Sequence, residues 1–286
     1  MPLNSINTNI TASIALESLN LTNSQLAVVQ KQVSTGYRVA DATDDGAAYA
    51  IAQRVRSDVG ALTSVNQQLG NVQGLLSTTL SAVNDVSNTM SSARDVLVKL
   101  ADSNTQGTQR SQYVAQYQSL VANIKTFFQD ASYNGKTLIG NMSGSSGTFG
   151  QVGVIRNESG ASYSIGTFGG SAFYGSINFT STQLNAATTV SKLITATATP
   201  GTFINKLNNL GTAMNTFGSE TNYVTNQVNY NNDKITSLND GLGALIDANL
   251  AQESAQLQSL QIRQQLGTQA LSIANQAPQS LLSLFK

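Results

Sequence analysis

Two short stretches of the sequence carry residue types that could do chemistry. Residues 134–137 read NGKT, which imitates the end of a phosphate-binding loop. Such a loop needs a glycine five residues before Gly135, and Asp130 occupies that position. It also needs a preceding apolar strand, whereas a helical pattern precedes this stretch. The Asn-Gly pair therefore favours a tight turn over a nucleotide site.

The second stretch, DATDD at residues 41–45, offers three carboxylates and could suggest a cation site. A calcium loop needs further oxygen ligands at defined spacing and usually a closing glutamate, and the following AAYAIAQ supplies none. Acidic side chains are also favoured at the start of a helix, near the positive end of its dipole. We therefore expect residues 41–44 to cap a helix, and we expect no metal site.

Composition narrows the function classes further. The chain has 286 residues without a single cysteine, histidine or tryptophan. This excludes thiolate nucleophiles, histidine-based acid–base catalysis and typical zinc sites, so we expect neither an enzyme nor a cofactor. Net charge is zero and only 10% of residues are charged, which gives no basic surface for nucleic acid or a membrane. So few charges make self-association easy.

The functional residues must lie mainly on helices, because the regions on both sides of the middle of the chain show helical periodicity. Apolar residues occupy two positions of a seven-residue repeat over residues 62–100 and again over residues 207–245, which predicts two long helices packed along one seam. A shorter helix over residues 113–131 should double back after the loop at 104–107. The expected fold is mainly α, an elongated antiparallel helical bundle or coiled coil with paired terminal helices.

The predicted seam positions share this seven-residue spacing. In the first long helix they are Leu62, Val65, Leu69, Val72, Leu76, Thr79, Val83, Val86, Met90, Ala93, Leu97 and Leu100. In the second they are Leu207, Leu210, Met214, Phe217, Thr221, Val224, Val228, Asn231, Ile235, Leu238, Leu242 and Leu245. In the shorter helix they are Tyr113, Tyr117, Leu120, Ile124, Phe127 and Ala131.

Residues 141–189 break this pattern. Glycine, serine and threonine cluster there, and residues 152–165 alternate around RNESGA, which predicts a β-hairpin. We therefore expect a small β-rich insert on the surface, between the helical arms.

Both ends of the chain are amphipathic and nearly uncharged. Burying the six large apolar side chains of residues 268–286 could supply about 9–18 kcal/mol, whereas ordering that tail costs about 28 kcal/mol. Packing against residues 1–35 still leaves a face exposed, so identical neighbours must cover it. The ends should therefore be disordered in the monomer and ordered in an assembly. A head-to-tail contact of this kind gives a helical filament.

The expected polymerisation contacts are apolar residues of the two ends. They are Ile6, Ile10, Ile14, Leu19, Leu26, Val33, Leu257, Leu260, Leu271, Ile273, Leu281, Leu282, Leu284 and Phe285.

These ends resemble bacterial flagellin. SINTNITASIALESLN at 5–20 and QVSTGYRVADATDDGAAYAIAQR at 32–54 are similar to its N-terminal motifs, and SYNGKTLI is similar to its Phe-Asn-Gly segment. LQIRQQLGTQALSIANQAPQSLLSLF at 260–285 resembles its C-terminal signature. The similarity covers about 1–140 and 190–286, in four separated motifs in the right order.

The resemblance implies a filament subunit used for motility. Residues 1–43 and 247–286 would be inner-tube helices, 44–140 and 190–246 rod segments, and 141–189 a short variable surface insert. It also implies secretion through the flagellar export apparatus to the extracellular flagellum, without a cleaved signal peptide. The implied partners are other copies of the chain, an export chaperone, a filament cap and hook-associated junction proteins.

Three departures or alternatives accompany the resemblance. SSARDVLVK at residues 91–99 differs from the segment that an innate toll-like receptor reads in enterobacterial flagellins, so we predict weak recognition. A hook–filament junction protein has similar ends and is the main alternative. An enzyme carried in the insert is a third class, but residues 141–189 hold no pair of acidic residues.

Overall fold

The computed structural model describes residues 8–195 and 202–283, and for residues 277–283 it describes the backbone only. The predicted mainly α class is confirmed, with a few short strands. The helices are α1 (Ile10–Thr35), α2 (Gly46–Ala101), α3 (Gly107–Asp130), α4 (Gly170–Ile177), α5 (Ser181–Leu184), α6 (Ala187–Thr195), α7 (Phe203–Ile246) and α8 (Leu250–Ser283). The strands are β1 (Lys136–Thr137), β2 (Thr148–Phe149), β3 (Val152–Ile155) and β4 (Ser162–Ile165). Within this described part of the chain, no helix combines the length and the apolarity needed to span a bilayer.

The chain divides into two compact units. The terminal unit consists of residues 1–59 and 236–286, and the central unit consists of residues 60–235. Both α2 and α7 contain residues of each unit.

In the central unit, α2 and α7 form the predicted seam. All twelve predicted seam positions of α2 are buried, as are Leu210, Phe217, Val224 and Asn231 of α7. Asn66 donates to Asn232 at 2.8 Å and Gln73 donates to Thr225 at 3.2 Å. Seven residues forward on α2 thus correspond to seven residues backward on α7, so the two helices are antiparallel. The remaining seam positions of α7 are half-buried.

The shorter helix α3 doubles back as predicted, but three of the six positions predicted for its buried face are one residue off. The fully buried residues are Arg110, Val114, Tyr117, Val121, Ile124 and Phe128. Of the predicted stripe, Tyr117, Ile124 and Ala131 are buried, whereas Tyr113, Leu120 and Phe127 are only half-buried. The reason is that α3 packs against the insert as well as the helical seam: the Tyr117 hydroxyl donates to the Ile177 carbonyl at 2.6 Å.

The Asn-Gly turn and the β-hairpin are confirmed. Asn134 and Gly135 have φ of 48° and 73°, and Tyr133 and Lys136 exchange both backbone hydrogen bonds, at 2.9 and 3.0 Å, as in a type I′ turn. Strand β3 pairs antiparallel with β4, with Val152 opposite Ile165 and Ile155 opposite Ser162. Sequence reasoning missed the helices α4, α5 and α6. The capping box of Thr180 and Gln183 before α5 was a readable signal for one of them.

Candidate assembly surface

In the terminal unit, α1 and α8 pack against each other as an antiparallel pair. The Gln264 side chain donates to Asn23 at 2.7 Å, and the Asn9 side chain donates to the Ala274 carbonyl at 2.8 Å. Asn9 is also the N-cap of α1, since its Oδ1 accepts from the Ala12 N–H at 3.1 Å. One side chain therefore starts α1 and ties that start to α8.

Most of the buried and half-buried residues of both helices follow a seven-residue repeat, and these define the seam of this pair. On α1 they are Ala12, Ala15, Leu19, Thr22, Leu26, Val29 and Val33. On α8 they are Glu253, Leu257, Leu260, Gln264, Gly267, Leu271 and Ala274. Among them only Val29 and Leu260 are fully buried, so two helices alone do not bury their apolar surface.

Each helix carries a second apolar stripe outside this seam. The α1 stripe consists of Ile10, Ile14, Leu21 and Val28, which are 42–62% exposed. The α8 stripe consists of Ile262, Leu266 and Ile273, which are 57–68% exposed. Spacings of four and seven residues place the members of a stripe on one face of an α-helix, and counting 3.6 residues per turn places that face well away from the seam.

The structure divides the predicted polymerisation contacts between these surfaces. Ile10, Ile14 and Ile273 belong to the stripes, whereas Leu19, Leu26, Val33, Leu257, Leu260 and Leu271 belong to the seam. Ile6, Leu284 and Phe285 lie outside the described residues, and for Leu281 and Leu282 the structure describes only a helical backbone.

Sequence reasoning missed several exposed apolar residues of the two terminal helices. They are Leu16, Leu21, Val28, Ile262 and Leu266. A signal for two of them was present, because Leu21 and Val28 continue the seven-residue spacing from Ile14.

The connection after α1 is fixed to the connection before α8. Arg38 donates its backbone N–H to the Ile246 carbonyl at 2.7 Å and its side chain to the Leu245 carbonyl at 2.6 Å. Ala248 donates its backbone N–H to the Gly36 carbonyl at 2.9 Å. These bonds hold together the C-terminal end of α1 and the N-terminal end of α8, beside a small core of Val39, Ala48, Ala52 and Ile246.

The acidic stretch caps a helix, but not through the residues that sequence reasoning chose. Asp45 Oδ1 accepts from the N–H groups of Ala47 and Ala48, both at 3.0 Å, so Asp45 starts α2. Asp41 and Asp44 instead bind Lys31 of α1, at 2.6 and 2.8 Å. The Lys31 ammonium lowers the pKa of both carboxyls, and their hydrogen bonds raise the pKa of Lys31. The expected cap at 41–44 was wrong because a long-range cation competes for these acids.

The fold and this surface define a helical structural protein whose terminal helices carry uncovered apolar faces. The chain belongs to the bacterial flagellin family: a model described as bacterial flagellin N-terminal helical region matches residues 6–143, and one described as bacterial flagellin C-terminal helical region matches residues 201–285. Flagellins are structural proteins that polymerise into filaments, and the chain is accordingly a structural component of a bacterial flagellum.

Relatives support this over the full length. Flagellin FljM of Caulobacter vibrioides is 33% identical, with 100% of both chains covered. A flagellin of Brucella melitensis is 32% identical, with 99% of both chains covered. Among solved structures, a putative flagellar hook-associated protein from Vibrio parahaemolyticus matches with a TM-score of 0.55 and 16% identity, covering 71% of this chain and 100% of its own. At that identity the structural match shows the fold alone.

Proposed function

We propose that the α1 and α8 stripes, together with the predicted residues at the two extreme ends, are the surfaces through which each flagellin subunit joins its neighbours. The observation that carries this is the exposure of the seven large aliphatic side chains of the two stripes. Among the side chains of α1 and α8 that the structure describes, only Val29 and Leu260 are buried. A folded chain rarely leaves such stripes in water unless a partner covers them.

The energetics favour several neighbours acting together. Full burial of a large aliphatic side chain stabilises by about 1.5–3 kcal/mol, so covering seven half-exposed ones supplies about 5–10 kcal/mol. Association costs about 4–15 kcal/mol in lost freedom of motion. One contact is therefore marginal. A polymer in which each subunit touches several others is stable.

The two stripes lie on different helices, and each faces away from the shared seam. A subunit can thus use its α1 stripe on one neighbour and its α8 stripe on another. Such a contact is heterologous and need not close, and its repetition without closing produces a filament. The ordering of the chain ends on assembly stays a prediction of this scheme.

Substituting the α1 stripe tests the proposal. Ile14→Asn with Leu21→Asn should raise the critical concentration for polymerisation at least tenfold, the equivalent of about 1.4 kcal/mol. Both side chains are exposed, so the monomer should keep its fold. Leu16→Asn is the matched control, because Leu16 is 48% exposed on the same helix but lies off the stripe. Sedimentation and negative-stain electron microscopy measure the result.

A double variant that assembles like the wild type would remove the α1 stripe from the interface. The same images test the alternative of a hook–filament junction protein. The structural match to a hook-associated protein shows a shared fold and does not favour this alternative. Long tubes of wild-type chain support a filament subunit, and stubs or monomers support a junction protein.

The finer assignments belong to the same proposal. Residues 1–43 and 247–286 are inner-tube helices, 44–140 and 190–246 are rod segments, and 141–189 are a surface insert. The chain leaves the cell through the flagellar export apparatus with an export chaperone and meets a filament cap and hook-associated junction proteins. The pairing of α1 with α8 supports the first assignment.

Recognition by the innate toll-like receptor is proposed to be weak. Within residues 91–99 of α2, Arg94 and Asp95 are exposed whereas Val96 and Leu97 are buried. A receptor can therefore contact the side chains of Arg94 and Asp95 but not those of Val96 and Leu97. Arg94 is kept from the recognised pattern, whereas Asp95 and Val96 replace its glutamate and leucine, and of these two replacements Asp95 is the exposed one.

A further inference from the structure

Glu220 of α7 is a buried acidic residue that lies outside the α1 and α8 stripes. It is 7% exposed, and its Oε1 accepts one hydrogen bond, from the Gly166 N–H at 2.8 Å. Its other oxygen, Oε2, is buried without a hydrogen-bond partner among the described residues. Gly166 directly follows β4, so this one bond joins the end of the β-hairpin to the long helix.

The groups around Glu220 do not neutralise it. Tyr163 of β4 and Tyr223 of α7 pack together with ring centroids 4.2 Å apart. Burial raises the pKa of Tyr163, and the negative charge of Glu220 raises it further. Arg156 donates to the Tyr223 hydroxyl at 3.4 Å, and Lys234 binds Glu158 at 2.6 Å. On the other helices, Asp85 of α2 and Asp130 of α3 are exposed.

We infer that the Glu220 carboxyl is a pH-sensitive latch, which holds the end of the β-hairpin against α7 when it is protonated and loosens it when it ionises. The physical reason is desolvation. A buried carboxylate with one hydrogen bond and no cation loses most of its hydration, whereas the neutral acid loses far less.

The direction of the pH dependence follows from the same burial. Burial raises the pKa of Glu220 above its ordinary value of 4.5, and the hydrogen bond from Gly166 opposes that shift. A raised pKa in the folded chain means that the attachment is complete below the unfolded pKa. It weakens as the pH rises through the folded pKa.

Glu158, the other acidic residue that attaches the hairpin to α7, has a pKa shift in the opposite direction. Lys234 lowers the pKa of Glu158, so that ion pair persists above the ordinary value of 4.5 and is lost only as the pH falls through the lowered pKa. The Glu158 anchor is therefore intact at the pH at which Glu220 ionises. Only the Gly166 end of the hairpin should loosen.

Amide hydrogen exchange of the dilute, full-length monomer tests the latch. Protection of Gly166 and the β4 amides, corrected for intrinsic exchange rates, should fall between about pH 4 and about pH 7.5, by about tenfold for each unit of pKa shift. In Glu220→Gln the same amides should stay protected at both pH values, because the amide side chain accepts from Gly166 without charge. Amides of α3, far from the hairpin end in sequence, are the internal reference.

Glu158→Gln is the matched control, since it removes the oppositely signed anchor and should leave the pH response of Gly166 in place. The latch is refuted if wild-type protection is constant across this range or rises with pH. It is also refuted if Glu220→Gln retains the wild-type fall. The experiment uses monomer, so its result is independent of how subunits assemble.

Discussion

At the scale of single residues, the central unit depends on close contacts that only the folded structure reveals. Gly170, the first residue of α4, is buried against backbone of the segment after the Asn-Gly turn. A Cβ there would lie 2.2 Å from the Ile139 carbonyl oxygen and 2.9 Å from that of Gly140. Backbone atoms cannot move aside as the end of a flexible side chain can, so this position requires glycine.

Gly170→Ala should therefore destabilise the central unit by about 1–3 kcal/mol or more, the cost of overpacking a close contact. Gly175→Ala in the same helix is the matched control, because no atom lies within 4 Å of its added methyl group. That control should be neutral or stabilising by about 0.5–1 kcal/mol. Urea unfolding followed by circular dichroism measures both, and equal midpoints for the two variants would contradict the contact.

The same scale shows what sequence could not reveal. Arg110 is buried in α3 and donates to the carbonyls of Leu100 and Leu184, at 2.8 Å each. Its position extends the predicted stripe of α3, seven residues before Tyr117, but the sequence does not show which carbonyls it binds, because these lie on other elements. Glu220 is likewise a buried ionisable residue whose hydrogen-bond partner, Gly166, lies on another element. Local residue types predict caps and turns, whereas buried charges depend on what folds over them.

At the scale of elements, a layer of asparagine side chains interrupts the apolar seam of α2 and α7. Asn231 is fully buried at a predicted seam position and donates to Asn66 Oδ1 at 2.9 Å. It also donates to the Arg156 carbonyl at 3.2 Å and accepts from Gln227 at 3.0 Å. A buried asparagine in a helical seam favours the one register in which its partners meet, at a cost in stability.

Asn66→Ala and Asn231→Ala should each destabilise the chain by about 1–3 kcal/mol, because each removes a hydrogen bond of this layer and leaves a polar atom of the partner side chain unpaired. Combined, they should show a coupling energy of about 0.5–3 kcal/mol. Gln73 and Thr225 form the control pair, since they make one exposed hydrogen bond across the same two helices, and their coupling should be near zero. Additive effects of the Asn66 and Asn231 substitutions in urea unfolding would argue against a register-fixing layer.

Elements differed in how far sequence predicted them. The α2 seam was predicted at every position because that helix presents one repeating face to its neighbours. The α3 stripe was displaced because the insert covers a second side, which no seven-residue spacing records. The helices α4, α5 and α6 were missed because they are short and because glycine, serine and threonine, which are common in loops, interrupt their apolar residues.

At the scale of the whole molecule, the two units differ in how they bury their apolar residues. The central unit has an extended core drawn from α2, α3, α7 and the insert. The terminal unit has a core of four buried residues and a helix pair with exposed stripes. This contrast fits a chain in which one unit is stable within the subunit and the other is completed by identical copies.

Removing residues 268–286 tests that division. The deletion takes away Leu271 and Ala274 from the seam and Ile273 from the α8 stripe, and it leaves Asn9 without the carbonyl that it binds. None of the buried core residues of the central unit lies in the deleted segment. Filaments should therefore be absent by electron microscopy, while amides of α2, α3 and α7 within residues 60–235 keep their protection in hydrogen exchange. A truncated chain that still forms filaments would mean that the C-terminal helix is not needed for assembly, and loss of protection throughout the central unit would mean that the two units do not fold independently.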